Sequence, residues 1–147
     1  MTADAAIHDE VVVMLRRADQ RYTTGRRRLV DALLAGGGPL TISQILSHDN
    51  RLAQSSVYRN LVILEQVGAV TRIVTRDDYA RYELTERLTD DHHHHLICTS
   101  CGAVSDFSLT RQSETRLDEA LRRVARSTGF KAEAHRLDLV GTCATCA

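Results

Sequence analysis

The 147-residue sequence has no net charge: Lys and Arg together number 19, and so do Asp and Glu. Net charge therefore gives no support for nucleic-acid binding, and any basic surface has to be local. No apolar run approaches the roughly 20 residues that a membrane span needs. The segment from Met1 to Glu10 holds two aspartates, a glutamate and no basic residue, unlike a signal peptide, so a cytoplasmic chain without a membrane partner is expected. Internal repeats are absent. So are the His-Glu-x-x-His pattern of a metallohydrolase and any evident nucleophile–base pair, which speaks against an enzyme. With 43% hydrophobic residues the chain can still bury a core, and wholesale disorder is excluded.

What is present begins with a helical stripe, Ile7, Val11, Met14, Leu15 and Ala18. Arg21 to Arg28 read as a polar turn. A second helix from Leu29 is stopped by Gly36-Gly37-Gly38 and Pro39. Thr41 and Gln44 have capping-box spacing at the start of a third helix. Ser55 or Ser56 can cap a fourth, striped by Val57, Leu61, Leu64 and Val67 and stopped at Gly68. Tyr58, Arg59 and Asn60 leave that stripe. A hairpin follows, with strands Ala69–Thr75 and Ala80–Leu84 around a turn at Arg76-Asp77-Asp78. Three helices and a hairpin form the winged helix-turn-helix pattern. Thr85 to Asp91 read as a linker. Beyond it come strands at His95–Cys98 and Ala103–Phe107, a helix from about Thr110 to Ser127, and a final strand from Phe130 to Val140.

Every cysteine lies in one of two Cys-x-x-Cys pairs, Cys98/Cys101 and Cys143/Cys146. Disulfides are the alternative in an oxidising compartment. In a reducing one, two such knuckles make a tetrahedral S₄ zinc shell, closed to water and hence structural. His92-His93-His94-His95 precedes the first pair, and in an extended segment His93 and His95 face one way while His92 and His94 face the other. Such a run can serve two metal sites, the bland alternative being a solvated polar turn. Glu83, Asp106, Asp118 and His135 are candidates for the remaining ligands. Mixed imidazole and carboxylate suits divalent zinc, iron, nickel or manganese.

The run His92 to Gly102, together with Ser55-Ser56-Val57-Tyr58-Arg59-Asn60-Leu61 and Gly141-Thr142-Cys143-Ala144-Thr145-Cys146, resembles the ferric uptake regulator family, from about Asp19 to the C-terminus. The resemblance implies an α+β chain. A winged helix-turn-helix DNA-binding domain over residues 1–84 is followed by a hinge linker over 85–91 and a small α/β metal-binding dimerisation domain over 92–147. It implies a metal-responsive repressor that binds double-stranded operator DNA as a homodimer. Structural Zn²⁺ is assigned to Cys98, Cys101, Cys143 and Cys146. A regulatory Zn²⁺, Fe²⁺, Mn²⁺ or Ni²⁺ is assigned to Glu83, His93, His95 and Asp106, and a third metal to His92, His94, Asp118 and His135. DNA contacts are expected from Arg21, Ser55, Ser56, Tyr58 and Arg59. Departures from the family pattern are Pro39, where many members place a hinge-site histidine that His48 would have to replace, and Thr71 and Thr85, where zinc sensors carry Asp and Cys. The linker is also about three residues longer than usual.

Overall fold

A computed structural model describes residues 2–75 and 79–147, so the expected turn at Arg76-Asp77-Asp78 lies outside the described residues. In chain order the elements are α1 (Ala3–Arg17), α2 (Thr24–Gly36), β1 (Leu40–Thr41), α3 (Ile42–His48), α4 (Gln54–Gln66), β2 (Val70–Val74), β3 (Ala80–Leu84), α5 (Glu86–Thr89), β4 (His94–Cys98), β5 (Val104–Phe107), α6 (Arg111–Thr128) and β6 (Asp138–Gly141).

The arginine-rich stretch is helix and not turn. Thr23 Oγ1 accepts from the amide of Arg26, so α2 begins a turn earlier than its apolar residues suggest. The capping box at Thr41 and Gln44 is formed, with both reciprocal hydrogen bonds, at 3.2 and 2.9 Å. For α4 the expectation of a serine cap is overturned. Its N-cap is Ala53, without a side-chain hydrogen bond, and Ser55 and Ser56 fall inside the first turn. Between α2 and α3 the chain passes so close to Gly36 that a Cβ there would lie 2.5 Å from the Leu40 side chain. Gly37 follows in the left-handed region at φ 64°.

β1, β2 and β3 form one antiparallel sheet in the order β1-β3-β2, the short β1 being an addition to the expected hairpin. On this sheet and the four flanking helices rests the apolar core: Val11, Leu15, Leu29, Val30, Ile45, Leu61 and Leu64 are each fully buried. Each such side chain stabilises the fold by about 1.5–3 kcal/mol. His8 is also buried here, held by Tyr22 Oη and by Asp31 at 2.9 Å, which accounts for it without a metal. Tyr82 and Leu84 point into this core, so strand alternation sends Glu83 to the opposite face.

The stretch read as a linker contains α5. Leu88 closes onto the core cluster, and Arg87 reaches Glu10 of α1 at 3.0 Å. The second sheet has the order β5-β4-β6, with β4 antiparallel to β5 and parallel to β6. Its last strand is shorter than expected: residues 130–137 form neither helix nor strand. No residue of α6 is buried, and Val124, Phe130, Leu139 and Val140 are all at least 59% exposed.

Candidate metal centres and nucleic-acid face

The two knuckles come together because β4 and β6 run in parallel with Cys98 opposite Gly141, so the turns after both strands meet at one end of the sheet. All four Sγ atoms lie within 4.8 Å of one another, and Cys101 and Cys143 are 3.8 Å apart. That is the edge of a tetrahedron with metal–sulfur bonds of about 2.3 Å, and nearly twice a disulfide length of about 2.05 Å. Backbone amides of Cys101 and Cys143 aim at Cys98 Sγ and pull its pKa down to about 6. Cys146 is pushed up to about 12 by its hydrogen bonds to Cys143 and Cys101 and by the neighbouring thiols. Cys143 is lowered as well, chiefly by the Cys146 amide, so two thiolates are favoured and a further one is opposed by them, a charge distribution suited to a cation.

The alternation of the histidine run is realised. His93 and His95 face β3, where Glu83 meets His95 Nε2 at 2.8 Å and His93 Nε2 at 3.2 Å. Asp106, paired with His95 across β4 and β5, stands 3.7 Å from His95 Nε2 and 3.8 Å from His93 Nε2. These distances, from 2.8 to 3.8 Å, bracket the edge of about 3.4 Å of a tetrahedron with metal–ligand bonds of about 2.1 Å. The Glu83 hydrogen bond, against burial, raises the pKa of His95. Burial also opposes the charge on His93, but the Asp91 carbonyl and Glu83 outweigh it. Asp106 is raised by burial and by Glu83, in spite of the two imidazoles. Protons compete with a cation for these donors. His95 Nδ1, buried and without a hydrogen bond, looks at Asp138 of β6 from 3.4 Å.

His92 and His94 face the other way and meet His135, but the fourth member of this group is Glu114 and not Asp118. Glu114 lies in the first turn of α6, hydrogen-bonded to His94 Nε2 and 3.4 Å from His92 Nε2. Asp118 is one helical turn further on and touches the far nitrogen of His135, Nδ1, at 3.3 Å. It orients that ring from outside. Glu114 Oε2 and His135 Nε2 are buried without hydrogen-bond partners, and both belong to the group. Orphaned polar atoms at one centre fit a bound cation. Glu114 was missed because two carboxylates a turn apart on one helix are equivalent until the helix is placed against the strand.

His48 does not replace the histidine missing at Pro39. It lines a separate polar cavity with Arg28, Asp49 and Arg51. Thr71 is paired with Glu83 within the first sheet, and Thr85 hydroxyl donates to the Gly68 carbonyl at 2.9 Å.

On α4, Tyr58 is 58% exposed, and Arg59 and Ser55 are exposed beside it, on the side away from Val57 and Leu61. Ser56 is half-buried and Arg21 exposed. One residue not singled out from the sequence connects these positions. The buried Arg26 donates from Nε to Asn60 Oδ1 of α4 at 3.1 Å, from one terminal nitrogen to the carbonyl of Arg21, and from the other to Gln20 Oε1 at 3.2 Å. It thereby fixes the Arg21 loop relative to the exposed face of α4.

Comparison with known proteins bears on this arrangement. The profile of the ferric uptake regulator family matches residues 17–140, which takes in α2 to α6, both histidine groups and most of β6, and stops short of Cys143. The chain belongs to the ferric uptake regulator family. It is 34% identical over 102 residues to the ferric uptake regulation protein of Bordetella parapertussis, covering 69% of this chain and 68% of that one. Similarity to the peroxide-responsive repressor PerR of Staphylococcus aureus runs over 142 residues at 28% identity, covering 94% and 90%. In fold it resembles the Helicobacter pylori ferric uptake regulator, described as having three functional metal-binding sites, with a TM-score of 0.74 at 24% identity over 99% of this chain and 94% of that one. A zinc-bound manganese uptake regulator gives 0.60 at 26% identity, covering 90% and 98%. At family level this is a metal-responsive transcriptional regulator of the Fur type.

Proposed function

We propose that this Fur-family chain is a repressor whose hinge metal controls the spacing of two DNA-reading helices. The observation that carries the reading is the meeting of Glu83, from the winged-helix half, with His93, His95 and Asp106 of the other half, all ligand atoms lying within 4.8 Å of one another. A divalent cation held there supplies the charge that draws the two halves into one orientation. Residues 1–84 act as the DNA-binding unit, 85–91 as the hinge and 92–147 as the dimerisation unit. In a two-fold dimer the angle at the hinge sets the distance between the two α4 helices, which has to match half-sites about one turn of DNA apart. Metal then favours the DNA-competent state by its differential affinity for it.

Tyr58 and Arg59, with Ser55, Ser56 and Arg21, are assigned to the operator, Arg21 to the minor groove. Cys98, Cys101, Cys143 and Cys146 are assigned to structural zinc, and His92, His94, Glu114 and His135 to a third metal. A homodimer is supported by the uncovered apolar side chains of Val124, Phe130, Leu139 and Val140. Regulation by binding, not catalysis, accords with the family, and a reducing cytoplasm accords with four free thiols. No helix among the described residues is long and apolar enough to cross a membrane.

The test is a metal titration of operator binding in gel-shift format. His93→Ala is expected to abolish metal-dependent retardation while leaving a zinc-containing dimer. His92→Ala is expected to keep the response at a shifted metal concentration. Retention of a normal response by His93→Ala would reject the hinge assignment.

A further inference from the structure

Glu86 is the first residue of α5 and belongs to neither histidine cluster, yet its carboxylate touches one residue of each, the His92 ring and the His93 backbone amide. Oε2 meets His92 Nδ1 at 2.8 Å, on the side of the ring away from the His94–Glu114–His135 group. Oε1 accepts from the backbone amide of His93 at 3.1 Å. His93 in turn presents Nε2 to Glu83. The two histidines are adjacent in sequence, and strand alternation turns their rings into opposite clusters, so a single carboxylate beside the chain can reach one ring and the next amide. The short helix that carries Glu86 is anchored on the winged-helix half by Leu88 in the core cluster and by the Arg87–Glu10 ion pair.

We propose that Glu86 is a positioning residue that couples the two histidine clusters and carries the state of the third site into the winged-helix half. This role rests on the reading of both clusters as metal sites. A histidine that ligates through Nε2 is held in the right tautomer when a carboxylate accepts from Nδ1–H. Glu86 does this for His92. Ordering His92 against Glu86 also fixes the oxygen that holds the His93 amide, and with it the direction in which the His93 ring faces Glu83. Filling one cluster thus removes conformational freedom that the other would have to lose. The two affinities are linked, and by thermodynamic necessity linked reciprocally. The third cluster is therefore not confined to the second half of the chain, as its own ligands alone imply.

The experiment is a Co²⁺ titration of the full-length, zinc-loaded protein, followed by absorption and by competition with a chromophoric chelator. Parent, Glu86→Ala, Glu86→Gln, Glu114→Gln and the Glu86→Ala/Glu114→Gln double variant are compared. Glu86→Ala is expected to weaken Co²⁺ binding at the third cluster about tenfold, the low end for loss of a carboxylate behind a ligating histidine, and at the hinge cluster by a smaller factor through the His93 amide. Glu114→Gln, which disables only the third cluster, is expected to weaken the hinge cluster in the parent and to add nothing in the Glu86→Ala background. Glu86→Gln, whose one amide oxygen cannot accept from both the His92 ring and the His93 amide, is expected to keep the side-chain volume and lose the coupling, which guards against a folding defect in the alanine variant. Strictly additive effects of Glu86→Ala and Glu114→Gln on the hinge cluster would overturn the proposal. Parent protein that binds no Co²⁺ beyond its zinc would instead overturn the metal-site reading on which it rests, and that result is visible without any variant.

Discussion

The two halves of this chain are held together by different physics. From Val11 to Leu88 there is a continuous apolar core, most of whose members are less than 5% exposed. From His92 onward, the only buried residues are His94, His95, Cys98 and Gly102. Two of these four belong to histidine clusters that bring imidazoles against carboxylates, and a third belongs to the cysteine cluster. The first half can stand on hydrophobic burial. The second has almost no interior of its own, and in the proposed reading its organisation rests on cation binding and on a partner protomer that covers the apolar side chains of α6 and β6. The proposed sensing site thus draws most of its donors from the half with the least apolar interior.

The sharpest way to break this contrast is to remove the structural metal. Cys143→Ser is expected to cost a large part of the roughly 10–16 kcal/mol that structural zinc supplies. Amide exchange should rise throughout residues 92–147 while the amides of α2 and α4 stay protected. Uniform protection in both halves would erase the distinction. A smaller but still large effect is expected in the other half. Leu61→Ala opens a cavity in the apolar core and should lower the urea stability of the first half by about 2–5 kcal/mol, leaving zinc content unchanged.

Next in size is the uncovered face. Leu139→Glu places a carboxylate where Leu139 is 59% exposed. Sedimentation should show the dimer weakened by roughly 2 kcal/mol or more, whereas a protomer that uses this surface only for solvent would shift within about 0.5 kcal/mol. The smallest expected effect is on the nucleic-acid face. Arg59→Ala should cost about 1–3 kcal/mol of operator binding if its guanidinium reads a base. Equal losses on unrelated DNA, with a shallower salt dependence, would assign it to phosphate instead. Both halves should remain folded in that variant.

The contrast also explains what could be read from the sequence. Where periodicity dictates the answer, sequence and structure agree: the stripe of α4 and the division of the four histidines into two faces follow from helical or strand repeat alone. They agree also on the meeting of the cysteine pairs. The failures occur where a local choice is settled by packing. Arg26, Arg27 and Arg28 looked like a turn because their charge obscured a helix already started by the Thr23 cap. Glu86 to Thr89 looked like a linker because the helix there carries a single buried residue, Leu88. Ser55 and Ser56 looked like caps, but α4 begins before them. Glu114 and Asp118 differ by one helical turn, and only the placement of α6 against His135 decides which of them faces the cluster and which supports it from behind.

The parallel pairing of β4 with β6 imposes a length standard on the molecule. His95 lies opposite Asp138 and Cys98 opposite Gly141. The span from His95 to Cys98 on β4 therefore equals that from Asp138, which faces His95, to Gly141, two residues before Cys143, on β6, about 10 Å at a strand rise of roughly 3.3 Å per residue. Deleting one residue from either strand would leave the knuckle and the hinge out of step by one rise and turn every following side chain to the wrong face. Retuning such a protein to another cation can thus proceed by exchanging ligands at fixed positions, but not by altering the spacer. The tolerance for change lies in the identity of the donors, and the intolerance in the number of residues between them.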